Sequence, residues 1–397
     1  MLKTLCKYSL YIVYLIYINY FLNFLEMFLM NISSYMPARV INSRDCVTNS
    51  AGVFSSFGKK CLIVTSGSAA KKSGALSDTQ KALENAGVEY EIFDSITENP
   101  LTSDCFKAGE KARNISADFI IGIGGGSPLD ASKAAAIYAS NKDMHETDIY
   151  SRSGCNAPLP VILIGTTAGT GSEVTGVSVL TNSETGCKKS ISGPDCYAKV
   201  SFCDSKYTFS VPYSVTVSSG LDAFAHCVES YFAKNSNELS VMYAKRGIEL
   251  LWKNLVMFYN EKRLPTECER DELYTASLLG GLAINITGTC FPHTVGYVLT
   301  EDFGIPHGRA CTAFMNEYVS LAVKYEKEKA DEFFRVINSD RDTFERIINS
   351  LTDVKIKMSE EEIDSYSKRW VNGVKNFERT PGDFTHETAR AILKKFL

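Results

Sequence analysis

The stretch ADFIIGIGGGSPLDASKAAAIYAS, residues 117–140, decides the fold. It reads as an apolar strand that runs into a glycine loop and out into a helix. Gly122, Gly124, Gly125 and Gly126 carry no side chains, so a ligand phosphate could approach the backbone closely. Ser127 suits the N-cap, Pro128 suits the first helical turn, and Asp130 falls early enough to favour the helix dipole. Loop and helix N-terminus together would present free N–H groups to a pyrophosphate. The loop is not a strict GxGxxG, because Ser127 stands where the last glycine would be. Glycines at this place also serve tight strand–helix packing alone.

Outward from this unit the pattern repeats. KKCLIVTSG (59–67), VEYEIFD (88–94), PVILIGT (160–166), GVSVLT (176–181) and AKVSFCD (198–204) read as strands, while SDTQKALENAG (77–87) and TSDCFKAGEKARN (102–114) read as helices. Strands alternating with helices of this length predict a parallel sheet covered on its faces. From about Val211 the period turns helical, in SVTVSSGLDAFAHCVESYFA, SVMYAKRGIELLWKNLVMFYN and RDELYTASLLGGLAIN. The expected organisation is therefore an apolar leader over 1–29, an α/β domain over 30–208 and a helical domain over 209–397. A cleft between two such domains is a common ligand site.

The 397 residues carry a net charge of −4 with acids and bases interspersed, which gives no basic track for nucleic acid. Twelve cysteines are scattered without a CxxC pair, as buried thiols of a reducing compartment would be. Tyr8 to Leu25 contains no charged residue and follows Lys3 and Lys7. This segment is long enough for a signal anchor, which would make the chain membrane-attached. Its richness in Tyr and Asn favours a second reading, an extension upstream of the true start, with Met27, Met30 and Met36 available as starts.

Two further stretches carry chemistry. GTTAGTGSE (165–173) follows the strand PVILI and packs Thr166, Thr167, Thr170 and Ser172 into one loop, all able to donate to phosphate or carboxamide. SGLDAFAHCVESY (219–231) puts Asp222 and His226 four places apart on one helix face. An intrahelical ion pair would account for that spacing. So would a metal, because FPHTVGY adds His293 and GIPHGRA adds His307 in constrained settings, whereas His145 and His386 lie in polar stretches. One carboxylate and three imidazoles complete a four-ligand set for a divalent transition metal, and the mixed set suits Fe(II) or Zn(II).

The motifs GIGGGSPLDASKA, TTAGTGSEVT, GLDAFAHCVESY and PHTVGY…GIPHGRA, in this order, resemble the signatures of the iron-containing (group III) alcohol dehydrogenase family. The resemblance runs from about residue 36 to the C-terminus. It implies a Rossmann-like dinucleotide-binding domain followed by a helical metal-binding domain, and metal ligation by Asp222, His226, His293 and His307, with iron favoured. It implies that the cofactor contacts Gly124, Gly125, Gly126, Ser127 and Asp130 in the first loop and Thr166, Thr167 and Ser172 in the second. Lys188 or Lys189 falls where the family has a cofactor-contacting lysine. Many relatives carry another histidine four residues after the third ligand. Here Tyr297 stands in its place, which argues against an imidazole proton relay at that point, although a tyrosine could still hydrogen-bond substrate or nicotinamide ribose. Gly165 replaces a proline usual in the family.

The implied activity is cytoplasmic, metal-dependent hydride transfer between NAD(P) and a small alcohol or aldehyde, in an enzyme whose relatives are commonly homodimers. Dehydroquinate synthase-like and glycerol dehydrogenase-like members of the same broad fold are the alternatives. In this family the turn after LIVT often carries Asp in NAD-preferring members. This chain has Ser66, Gly67 and Ser68 there, with Lys71 and Lys72 behind, so NADP is expected over NAD.

Overall fold

The computed structural model describes residues 32–152 and 154–397. The apolar segment 1–29, with its two readings, lies outside the described residues. Among those described, no helix is long and apolar enough to cross a membrane.

Six strands form one parallel sheet: β1 (Arg39–Asn42), β2 (Lys60–Thr65), β3 (Glu89–Phe93), β4 (Phe119–Gly124), β5 (Val161–Gly165) and β8 (Val200–Cys203). Their order is β1-β8-β5-β4-β2-β3. The middle strands are apolar on both faces because helices cover both. Ile63, Ile121, Ile123 and Ile164 meet Leu76 and Leu83 of the Ala75–Ala86 helix. Leu62, Val64, Ile120 and Leu163 meet the Thr102–Asn114 and Gly126–Ser140 helices on the other side. Alternate side chains of one strand thus feed two separate cores, which is why β4 and β5 read as unbroken hydrophobic runs. The 75–86 helix ends where Gly87 takes a left-handed conformation.

One strand reading needs correction, and two strands were missed. GVSVLT forms β6 (Val177–Thr181) but does not join the sheet. It pairs antiparallel with β7 (Lys188–Ser192) in a separate ribbon. β7 and the edge strand β1 were missed because both are short and polar (KKSIS and RVIN), with too few apolar residues for a period to show.

After β8 the chain turns wholly helical, beginning with Tyr213–Phe232. Every residue from Gly220 to Ala233 is buried, as an all-round apolar helix requires. It is enclosed by the Glu238–Glu261, Glu267–Thr287 and His307–Thr312 helices.

Candidate metal centre and cofactor cleft

Asp222 and His226 project from the 213–232 helix, one turn apart and both buried. His293 sits in the first turn of the Phe291–Glu301 helix, and His307 opens the 307–312 helix just after Pro306. The last helix must come very close. A Cβ at Gly308 would lie 1.9 Å from the Ser218 carbonyl oxygen and 2.9 Å from the Asp222 Cβ, so only glycine lets His307 reach the acid. The outcome is a convergence on one atom. Asp222 Oδ1 lies 3.8 Å from His226 Nε2, 3.6 Å from His293 Nε2 and 3.8 Å from His307 Nε2.

These separations are too long for hydrogen bonds. Ligands about 2.0–2.2 Å from one tetrahedral ion stand roughly 3.3–3.6 Å from each other, close to what is found. Asp222 Oδ1 and His293 Nε2 are buried and have no hydrogen-bond partner. Buried polar atoms left unpaired are costly, and a metal is the group that satisfies a carboxylate and three imidazole lone pairs together. The donor set fits such an ion.

Electrostatics agree. Burial pushes the Asp222 carboxyl up, but the three imidazoles outweigh it and leave the group well below the usual carboxylate range. Burial holds His226 below its ordinary value and drives His307 down to about 3, so both rings are neutral near pH 7 with a lone pair to offer. His293 goes the other way. Burial opposes its charge, but Cys311 and Glu229 raise it well above the ordinary value. The surroundings favour positive charge at this point, and a dication supplies that as well as a proton does.

Glu229 escaped the reading of the sequence. It is fully buried; Oε1 lies 2.5 Å from His293 Nδ1, and Oε2 accepts the Cys290 N–H at 2.6 Å. A carboxylate on the far nitrogen fixes the ring and directs Nε2 inward. The signal was present in HCVE: Glu229 lies seven residues after Asp222, two turns along the same helix face. Tyr297 stacks on His307 with centroids 5.6 Å apart and 13° between planes. Lys188 lies over the other partner of that stack, its Nζ 5.3 Å from the Tyr297 ring centre. Burial pulls the Lys188 ammonium down, opposed by Cys311, Glu301 and Asp222. Lys189 faces away, exposed and over Tyr150. Of the two candidate lysines, Lys188 is the one beside the Asp222–histidine cluster.

The two loops leave neighbouring strands at one level, since Gly124 of β4 pairs with Gly165 of β5. Both emerge at the carboxyl edge of the sheet, where doubly wound folds bind nucleotides. Gly124 has φ +151°, a value that excludes most side chains. The helix begins at Gly126 rather than Pro128, and its N-cap is Gly125. Ser127 is therefore not the cap; it lies inside the first turn, and its hydroxyl accepts the Asn99 N–H at 3.2 Å. Asp130 and Ser172 are bonded to each other and to the backbone. Ser172 Oγ donates to Asp130 Oδ1 at 2.6 Å, and Asp130 Oδ2 accepts the Val179 N–H at 2.8 Å. Both residues are spent on protein partners, tying one loop to the other. Thr166 is buried, whereas Thr167 and Thr170 are half-buried beside Gly125 and Gly126. Gly165 has a local reason: a Cβ there would fall 1.9 Å from Glu173 Oε1 and 2.3 Å from the Tyr274 hydroxyl, a hydrogen-bonded pair that fills this space.

At the turn after β2, Ser66 bridges Ser95, and Gly67 and Ser68 are exposed. The sequence stretch alone shows no carboxylate here. The fold brings one in, because Gly67 N–H donates to the Asp94 carbonyl at 3.3 Å and Lys71 Nζ lies 3.7 Å from Asp94 Oδ2.

Residues 37–205 match the family described as iron-containing alcohol dehydrogenase, and 216–396 match its C-terminal domain. The sulfoacetaldehyde reductase of Bilophila wadsworthia is 32% identical over 68% of this chain and 70% of its own length. The 1,3-propanediol dehydrogenase of Klebsiella pneumoniae is 36% identical over 64% of this chain and 65% of its own. The crystal structure of an iron-containing alcohol dehydrogenase from Thermotoga maritima superposes with a TM-score of 0.84 at 34% identity, covering 92% of this chain and 99% of the other. With both halves of the chain matched and the fold shared almost end to end, the chain belongs to the iron-containing alcohol dehydrogenase family.

Proposed function

We propose that Asp222, His226, His293 and His307 hold one divalent metal, Fe(II) or Zn(II), facing a nicotinamide cofactor held along the Gly124–Ser127 and Thr166–Thr170 loops. The reaction class is that of the family: reversible hydride transfer between NAD(P) and an alcohol or aldehyde. The observation that carries this reading is the convergence of three Nε2 atoms on Asp222 Oδ1, two of the four atoms having no other partner.

A bound divalent metal supplies Lewis acidity toward the substrate oxygen. The chain supplies the rest. Glu229 keeps the His293 ring in one tautomer. The first-turn N–H groups of the 126–140 helix and the Thr167 and Thr170 hydroxyls receive the pyrophosphate. Tyr297, stacked on His307, walls the substrate side and offers its hydroxyl to substrate or ribose; Lys188 behind it adds positive charge. The burial of Asp222, His226 and His293 keeps water from the reacting carbon.

For the cofactor, the small residues at 66–68 admit a 2′-phosphate, and we favour NADP. Asp94 draws Lys71 to itself, so the preference rests on the turn's hydroxyls and open space more than on net charge.

The deciding experiment is a panel of aldehydes with NADH and NADPH on protein loaded with Fe(II) or Zn(II). Metal-dependent loss of reduced cofactor is expected. Equal rates with and without chelator would overturn the metal reading.

A further inference from the structure

Arg270 sits in the first turn of the 267–287 helix, yet only 4% of it is exposed. A guanidinium buried this deeply normally has a carboxylate beside it, and the neighbouring sequence offers three. None is used. Asp271 pairs with Arg44 at 2.9 Å and Glu269 with Arg263 at 2.7 Å, while Glu267 turns toward Arg44 at 4.0 Å. Burial alone acts on the Arg270 charge, pulling it down with no acid to oppose the shift. Lys133, similarly buried, has Asp130 at 3.6 Å.

The partners that Arg270 does have are neutral. One terminal nitrogen donates to Thr216 Oγ1 at 3.1 Å and the other to the Val211 carbonyl at 3.2 Å. Of the five N–H groups a guanidinium carries, these bonds engage two. Arg270 also borders a small cavity with room for one water-sized body. Thr216 and Ser219 of the 213–232 helix line it, Thr208 lies on the connection before that helix, and Ala168 closes it from the loop after β5. Nothing that lines it is acidic. Thr216 and Arg270 both lie in the first turns of their helices, so two helix N-termini with their partial positive charge begin at this cavity. Ser219 offers a further hydroxyl.

We propose that this cavity is a site for one chloride-sized monovalent anion, held by the spare N–H groups of Arg270 and the Ser219 hydroxyl, and that the ion seats the 166–170 loop on the helical half. The anion stands where the missing carboxylate would be and balances the buried cation. Sulfate and phosphate are too large for the space. Because Ala168 forms one wall, the ion supports the loop from behind, on the side away from Gly125 and Gly126. The proposal is independent of the metal reading above.

The test is chloride dependence at fixed ionic strength. The purified full-length protein is equilibrated in sodium gluconate, and chloride replaces gluconate stepwise. Urea, which brings no chloride of its own, is the denaturant. The wild-type urea midpoint should climb with the logarithm of chloride concentration once the site begins to fill, and Arg270→Met should flatten that response. A wild-type midpoint indifferent to chloride overturns the proposal, because the cavity then holds water only. A response kept in full by Arg270→Met overturns it as well, because the anion would then bind elsewhere. Should Arg270→Met not fold, wild-type crystals grown in sodium bromide decide the location. An anomalous peak beside the Arg270 guanidinium, together with the chloride response in solution, upholds the site. No peak there removes it, and a peak without the solution response marks an adventitious ion only.

Discussion

Among the described residues, the Lys133–Asp130 cluster of the α/β half and the Asp222 cluster of the helical half are both buried and charged, and they are built on opposite plans. In the α/β half, Lys133 Nζ donates to the Ser172 carbonyl at 2.9 Å, Ser172 Oγ at 2.7 Å, the Thr175 carbonyl at 3.0 Å and the Val177 carbonyl at 2.7 Å. Asp130 stands 3.6 Å from the same ammonium and takes hydrogen bonds from Ser172 and Val179. That network closes on itself. In the helical half, Asp222 and its imidazoles converge without closing, and Asp222 Oδ1 and His293 Nε2 are left over. Burial is similar in the two and does not separate them. What separates them is satisfaction: a closed network holds two loops in place, whereas an open one is shaped around a ligand.

The sharpest way to break the comparison is at the open cluster. His293→Ala or His307→Ala should lose bound metal and bring activity to background, by elemental analysis and a cofactor assay. The protein should still unfold cooperatively. A variant with full metal occupancy would reduce the cluster to a satisfied core and erase the contrast.

The closed cluster should fail differently. Lys133→Met leaves Asp130 buried with its cation gone, and breaking one partner of such a pair costs about 3–5 kcal/mol. The expected readout is a lower denaturant midpoint with metal content per folded chain unchanged. Loss of metal at unchanged stability would show that Lys133 belongs to the chemistry after all. Between these two lies Glu229→Gln, which keeps shape but removes the charge on His293 Nδ1. Metal affinity should fall about 10–100-fold, measured by competition with a chromophoric chelator, while unfolding stays near wild type.

The same contrast explains what could be seen from the sequence. The sheet, its covering helices and the turn to an all-helical half were legible because unbroken runs such as VILIG and periodic ones such as GLDAFAHCVESY carry their period in themselves. Asp222, His226, His293 and His307 stood out because histidine is rare in this chain and sits in apolar settings. Partners that depend on crossing angles were not legible. Arg270 became notable only once the 213–232 and 267–287 helices had set Thr216 beside it. Asp130 and Ser172 were expected at the cofactor from the family resemblance; their bonds within the protein, and the tie of Ser172 to Lys133, were not legible, because Lys133 hides in the apolar SKAAA run. The same limit applies to Asp94, 28 residues beyond Ser66 in sequence and beside its turn in space.

Asp94 also sets the smallest effect. If the 66–68 turn selects NADP by leaving room, a carboxylate placed there should reverse the choice, and Ser66→Asp is the cleaner place for it. Gly67 holds φ +42°, where any added side chain brings backbone strain of its own. At Ser66 the change adds charge without that cost. Two like charges a few ångströms apart in a partly solvated cleft repel by about 1–2 kcal/mol, so the ratio of kcat/KM for NADPH over NADH should fall roughly 5–30-fold. The fall should come mainly from a raised KM for NADPH, because the repulsion acts on cofactor binding far from the transferred hydride. Added salt should shrink the effect, since the turn is exposed. An unchanged ratio would mean that Asp94 already sets the charge seen by the ribose and that the turn has no say. The paired change Asp94→Asn, which leaves Lys71 unopposed, would then raise the ratio where Ser66→Asp could not lower it.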